Sequence, residues 1–357
     1  MTLQALARSL TAGARRGMPE GAGAVAAAIE RPGAEPTRVF AGRTITHDAD
    51  GRPLDDPRSK PVDAGTFFDL ASVTKVLTAL AAARLLDAGT LALETRAVDV
   101  LGAGSVPDPR ITVRHLLTHT SGLPPHAPLW RIPGSREARL SAIGALEPIS
   151  EPGTVHAYSC LGFLVLGRIL ERRSGLPLPD LVRREVLDPA AAEGVTWSIV
   201  DPRCAAATEI QVDPPRGLVQ GVVHDETAWA IGGAANAGAF ATLDGALAIG
   251  RILAGTATGP RLSPAVRRGL ATDQLGAGAG TGRAWRQGLG LRIGAELPDG
   301  TVVPDVIGHP GFTGTAIWAQ PSTGTVAVLL TNRVHPDRSH FAVDGARREL
   351  ARLAFGG

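Results

Sequence analysis

Strand-like segments lie near both ends of the chain, and the stretch between them reads mostly as helix and loop. Near the start, residues 22–29 and 37–42 are short apolar runs joined by Arg31-Pro32-Gly33, a hairpin turn. Near the end, residues 288–293, 315–320 and 325–331 carry the same signal, with the turn Pro321-Ser322-Thr323-Gly324 between the last two. Strands so placed join one sheet when the middle of the chain is an insertion. Residues 2–16 and 340–355 have helical apolar spacing and provide a helix at each terminus. The pattern predicts an α/β chain of the α+β type. Residues 1–75 and 276–357 form an antiparallel sheet flanked by the terminal helices, and residues 76–275 form a mostly helical lobe. Pockets form at such a seam.

Beside that seam runs Phe67-Phe68-Asp69-Leu70-Ala71-Ser72-Val73-Thr74-Lys75, followed by an apolar helical segment that stops near Gly89. Positions three apart share one helix face, about 5–6 Å apart at Cβ. Ser72 and Lys75 therefore point into one site, with Ser72 at the helix start, where its N–H is free and the dipole adds positive potential. A hydroxyl, an amine able to take its proton and a free amide donor are the parts of an acyl-transfer site. The Ser-x-x-Lys pattern is a catalytic motif, although a cap beside a solvated lysine also satisfies it. Its weight rises here because only two lysines, Lys60 and Lys75, stand among 36 basic residues.

Residues 111–122 predict a short helix ending at Gly122. His115 and His119 have a spacing open to a metal, but no Glu stands between them as in H-E-x-x-H and no third ligand is apparent. Helix packing or capping is the expected role. Residues 123–153 are proline-rich and loop-like, 161–173 a buried helix, 180–187 another, 200–236 mixed loop, and 239–254 a helix with small residues on one face. Residues 275–282 are glycine-rich, yet Thr281 stands where G-x-G-x-x-G needs its last glycine, so a loop is expected and not a nucleotide site.

The formal net charge is only +2 without a basic run, which disfavours nucleic acid as a partner. No stretch reaches about 18 uninterrupted apolar residues, and the first residues lack the order of a signal peptide. A cytoplasmic protein without membrane association is expected, with Cys160 and Cys204 reduced. No cofactor or metal motif is found, and the oligomeric state stays open.

Three stretches line up with one chemistry. They are Ser72-Val73-Thr74-Lys75; residues 151–163, in which the sole tyrosine, Tyr158, precedes a helix; and Gly308-His309-Pro310-Gly311-Phe312-Thr313-Gly314-Thr315. Together with Leu116-Leu117-Thr118-His119-Thr120-Ser121-Gly122-Leu123 and Val223-His224-Asp225-Glu226, they run in order over about residues 22–335. In this the chain resembles the serine β-lactamase-like family, which includes class C β-lactamases, D-Ala-D-Ala carboxypeptidases, D-aminopeptidases and family VIII carboxylesterases. The resemblance implies the β-lactamase/penicillin-binding-protein fold. It implies Ser72 as the acylated nucleophile, Lys75 as its proton acceptor or tuning partner, and Tyr158, at the Y-x-N position, as the general base. His309 stands where the β-lactamases place the lysine of K-T-G. Gly311 is expected to let substrate approach the strand edge, and the N–H groups of Ser72 and Phe312 to form the oxyanion hole. Trp130 and Trp229 are expected to line the acyl or leaving-group side.

Cys160 stands where the β-lactamases carry an asparagine that hydrogen-bonds the substrate amide, and a thiol is a poor donor and a weak acceptor. With His309-Pro310-Gly311 in place of K-T-G, this points away from β-lactam hydrolysis. The expected function is a serine acyl hydrolase or acyltransferase working through acyl-Ser72 on a small ester or amide. The alternatives are a β-lactamase or D-Ala-D-Ala carboxypeptidase and, from another class, a non-catalytic binding homologue. The intact Ser72, Lys75 and Tyr158 set speaks against the last.

Overall fold

The computed structural model describes residues 1–15, 21–54, 59–276, 285–339 and 342–356. A seven-stranded sheet is built from β1 (Ala24–Glu30), β2 (Thr37–Gly42), β3 (Arg286–Gln287), β4 (Arg292–Glu296), β5 (Val302–Pro310), β6 (Ala316–Gln320) and β7 (Thr325–Thr331). Its order is β2-β1-β7-β6-β5-β4-β3, with every neighbouring pair antiparallel. β1 lies against β7, with Val25 opposite Thr331 and Glu30 opposite Val326, so the two ends of the chain share one sheet as the strand signals predict.

The longer helices are α1 (Leu3–Arg15), α2 (Thr74–Asp87), α3 (Cys160–Ser174), α4 (Leu243–Ala254) and α5 (Asp344–Phe355). Alternation along the strands sorts residues between two faces. Val25, Ala27, Ile29, Ala327 and Leu329 pack with Leu3, Leu6 and Leu10 of α1 and Leu350 of α5. Ala24, Ala26, Ala28, Val326 and Val328 face the other way and join Leu77 and Leu80 of α2, Phe163 of α3, and Leu247 and Ile249 of α4. With both faces covered, β1 and β7 are apolar from Ala24 to Ile29 and from Val326 to Leu330, as strands of a covered sheet are. α4 packs so closely that a Cβ on Gly250 would lie 2.2 Å from Val326 Cγ1, which explains its small residues.

Capping residues set the helix limits. The Ser159 side chain accepts the Gly162 N–H to start α3, and Gly175 ends it in the left-handed conformation at φ 70°. Five expectations are corrected. Residues 288–293 are not a strand throughout: residues 288–291 connect β3 to β4, which begins at Arg292. Residues 111–122 are helical only over Val113–Leu117. Residues 239–254 are not helical throughout: Phe240–Ala241 is a strand paired with Phe68–Asp69, and the helix begins only after the Thr242 cap. Residues 123–153 contain short helical turns at Leu129–Arg131, Arg136–Ser141 and Ala142–Ala145, the second capped by Ser135. Residues 180–187 divide into a helical turn at Leu178–Val182 and a π-helical turn at Arg183–Leu187. Residues 277–282 of the glycine-rich segment, and residues 340–341, where the last helix is expected to begin, lie outside the described residues.

Candidate active site

Ser72 stands on a short 3-10 turn, Ala71–Val73, that runs directly into α2. The preceding Ala71 has φ 47°, a left-handed conformation that costs a residue with a Cβ about 1–2 kcal/mol. The buried Asp69 carboxylate holds this bend: it accepts the Ala71 N–H at 2.8 Å and the His224 N–H at 2.6 Å. Burial raises the Asp69 carboxyl above its ordinary range despite these two donors.

The structure brings Ser72, Lys75 and Tyr158 together. Lys75 Nζ lies 3.1 Å from Ser72 Oγ, and Tyr158 Oη donates to the same oxygen at 2.8 Å. Lys75 is fully buried, and a buried ammonium needs an acceptor for each of its three N–H groups. Ser72 Oγ supplies one, the Asn236 carbonyl a second at 2.9 Å, and Cys160 Sγ a weak third at 3.5 Å. Burial pulls the lysine down, but its electrostatic interactions with the neighbouring Cys160 and Tyr158 more than offset it, and its pKa ends above the ordinary value. Burial likewise raises Tyr158, with the nearby Lys75 ammonium opposing it.

The sheet forms the opposite side. His309 lies on β5 itself, with its ring centre 5.9 Å from that of Tyr158. Its Nδ1–H donates to the Pro310 carbonyl at 2.6 Å, while the buried Nε2 has no partner among the described residues. Burial, with Arg292 and Lys75 adding positive charge nearby, holds His309 well below the usual histidine range, so the ring is neutral. The position at which the resemblance places a cation thus carries none.

Gly311 has a structural role that the sequence did not indicate. It lines the cavity described below, and a Cβ there would lie 2.0 Å from Thr315 Oγ1 and 2.4 Å from the Leu70 carbonyl, so the glycine also makes room for the segment before Ser72. Thr313 Oγ1 donates to the Asp69 carbonyl at 2.7 Å and Thr315 Oγ1 to the Leu70 carbonyl at 2.9 Å. Arg347 of α5 donates to the Gly311 and Thr315 carbonyls. The stretch therefore ties the serine segment to the sheet and the last helix.

The N–H groups of Ser72 and Phe312 meet no acceptor among the described residues. Both residues line a cavity of about 1050 Å³, together with Tyr158, Trp285, Arg292 and His309. The Phe312 ring stacks on His224 with centres 5.7 Å apart. His224 Nε2 lies 2.8 Å from Glu209, which Arg338 also engages, and these partners outweigh burial to bring Glu209 down to about 2.

Trp130 and Trp229 do not line this cavity, contrary to expectation. Each sits on a short helical turn with its ring covered by an arginine, Arg131 at 4.6 Å and Arg216 at 4.9 Å. Cys160 does not line it either but faces Lys75. Among the lining residues that escaped the sequence reading are Trp285 and Arg292, whose guanidinium lies 3.6 Å from the Trp285 ring centre and which burial lowers to about 10. The only available signal was an arginine inside the apolar run 288–293. Asn236 was also missed, because it contributes a backbone carbonyl. His115 closes a capping box with Thr112, in line with its expected capping role. Both cysteines are free thiols, and no helix among the described residues is long and apolar enough to cross a membrane.

This architecture is the β-lactamase and penicillin-binding-protein fold, an antiparallel sheet with helices in a mixed α/β arrangement. The structure of EstCE1, "a hydrolase with promiscuous acyltransferase activity", matches with a TM-score of 0.75 at 22% identity, covering 98% of each chain. A penicillin-binding protein homolog from Caulobacter crescentus matches with a TM-score of 0.69 at 20% identity, covering 97% of this chain and 96% of that one. The Beta-lactamase family profile matches residues 22–352, and the chain belongs to that family. Esterase EstB of Burkholderia gladioli is 31% identical over 342 residues, covering 80% of this chain and 82% of the relative.

Proposed function

We propose that the protein is a serine acyl hydrolase that forms an acyl-Ser72 intermediate on a small ester or amide. The observation that carries this reading is the Ser72 hydroxyl held 3.1 Å from an amine and 2.8 Å from a phenol beside a cavity. A serine hydroxyl is a weak nucleophile until a neighbour takes its proton. Lys75 and Tyr158 titrate as a pair, and the reactive form is the one that has lost a proton. In that form Tyr158 accepts the Ser72 proton as Oγ attacks the carbonyl carbon, with the Lys75 ammonium stabilising the phenolate. Negative charge develops on the carbonyl oxygen, where the N–H groups of Ser72 and Phe312 receive it. Tyr158 then protonates the leaving group, and water releases the acyl group by the same steps in reverse. The same intermediate serves acyl transfer when an alcohol or amine takes the place of water.

The esterase named among the relatives supports an ester substrate. So does Cys160, which offers an amide substrate only a weak partner and already faces Lys75. Intact mass after incubation with p-nitrophenyl butyrate tests the reading: one butyryl adduct is expected on the native chain and none on Ser72→Ala. An unmodified native chain across several ester lengths would sink it. Nitrocefin turnover faster than ester turnover would favour the β-lactamase alternative.

A further inference from the structure

Leu116–Leu123 takes no part in the steps above, yet His119 within it packs directly on Tyr158. His119 follows the helical turn Val113–Leu117 with φ 55°, the left-handed position that helix ends usually give to glycine. A residue held there by its surroundings is a reason to ask what its side chain does. His119 Nδ1 accepts the Ser159 N–H at 3.1 Å, and the His119 carbonyl accepts the Ala157 N–H at 2.9 Å. These are the residues on either side of Tyr158. The imidazole is buried, with its centre 4.7 Å from the Tyr158 ring and 5.2 Å from the Phe163 ring. An Nδ1 that accepts is unprotonated, and burial beside the Lys75 charge keeps it so. Nothing places His119 against Ser72 itself.

We infer that His119 is the positioning residue of Tyr158: it grips the chain on both sides of the tyrosine and backs its ring, which keeps Oη within hydrogen-bond reach of Ser72 Oγ. The inference rests on the proposed role of Tyr158. It requires an acceptor at the Nδ1 position, and that requirement separates it from simple packing.

The test uses the full chain and p-nitrophenyl butyrate. His119→Asn places Oδ1 where Nδ1 was and tolerates the left-handed backbone, whereas His119→Leu keeps a similar outline without an acceptor. His119→Leu is expected to lower kcat by about 10²-fold with KM within about threefold, the scale of a misplaced catalytic group. His119→Asn is expected to recover at least about tenfold of that loss. In a Tyr158→Phe background His119→Leu should cost less than about twofold, because the residue it positions no longer acts. Thermal melting reports whether the leucine variant folds; if it does not, His119→Gly, which suits the backbone and also lacks an acceptor, replaces it. Equal losses in the Asn and Leu variants, or an undiminished loss in the Tyr158→Phe background, overturn the inference while leaving the role of Tyr158 intact. Tyr158→Phe measured alone separates the two readings: a native rate there overturns both.

Discussion

The two sides of the cavity are built on opposite plans. The helical side presents side-chain polar atoms: Lys75 Nζ and Tyr158 Oη converge on Ser72 Oγ within 3.1 Å. The sheet side offers the Phe312 N–H and a neutral His309, while the side chains of Thr313, Thr315 and Arg347 hold backbone carbonyls. A proton-transfer group must carry a titratable atom at hydrogen-bond distance, so residue identity governs the first side. Binding a developing oxyanion needs only a fixed N–H, so shape governs the second. On the proposed reading, substitutions on the helical side remove rate with the fold intact, and those on the sheet side remove stability with a smaller loss of rate.

The contrast is broken most easily at its strongest point. Lys75→Met is expected to lower kcat/KM for a p-nitrophenyl ester by about 10³-fold, within the range for losing a proton-transfer partner. A loss below about tenfold with an unchanged circular-dichroism spectrum would remove Lys75 from the chemistry.

The pH profile sharpens the same side. Lys75 and Tyr158 both lie above their ordinary values, and His119 and His309 well below theirs. The reactive form has lost a proton from a pair of high pKa, so kcat/KM should rise about tenfold per pH unit from about pH 6 to 8. A rise that levels off near the ordinary histidine value, about 6.5, would assign the base to a histidine instead.

On the sheet side, Gly311→Ala forces the Leu70 carbonyl to move and should cost about 1–3 kcal/mol in chemical denaturation, with about a tenfold loss of rate. Thr315→Val removes one hydrogen bond to Leu70 and should cost about 1 kcal/mol while changing rate less than about threefold. If Thr315→Val slows turnover as strongly as Lys75→Met, the division between the two sides is wrong.

What was legible in the chain follows the same division. The approach of Ser72 and Lys75 is local geometry, because a helical turn carries both side chains to one face whatever surrounds it. Tyr158 stood out because no other tyrosine competes for its place. The structural role of Gly311 was not legible because a glycine signals that space is needed and not what fills it; here Thr315 and the Leu70 carbonyl do. Trp130 and Trp229 were assigned to the cavity from the loops they occupy, and only packing shows their rings turned to Arg131 and Arg216.

The amino-acid sequence by itself determined β1, β2, β6 and β7, the helix after Ser72, the terminal helices and the serine–lysine pair, because backbone preferences and short-range periodicity govern all of these, whereas β5 carried no strand signal that was read. The tertiary structure alone decided that the Asn236 carbonyl meets Lys75, that two threonines brace the chain before Ser72, and that His309 is neutral. The reason is physical: backbone carbonyls have no letter of their own, and burial, which sets the charge of a histidine, exists only once distant segments have packed.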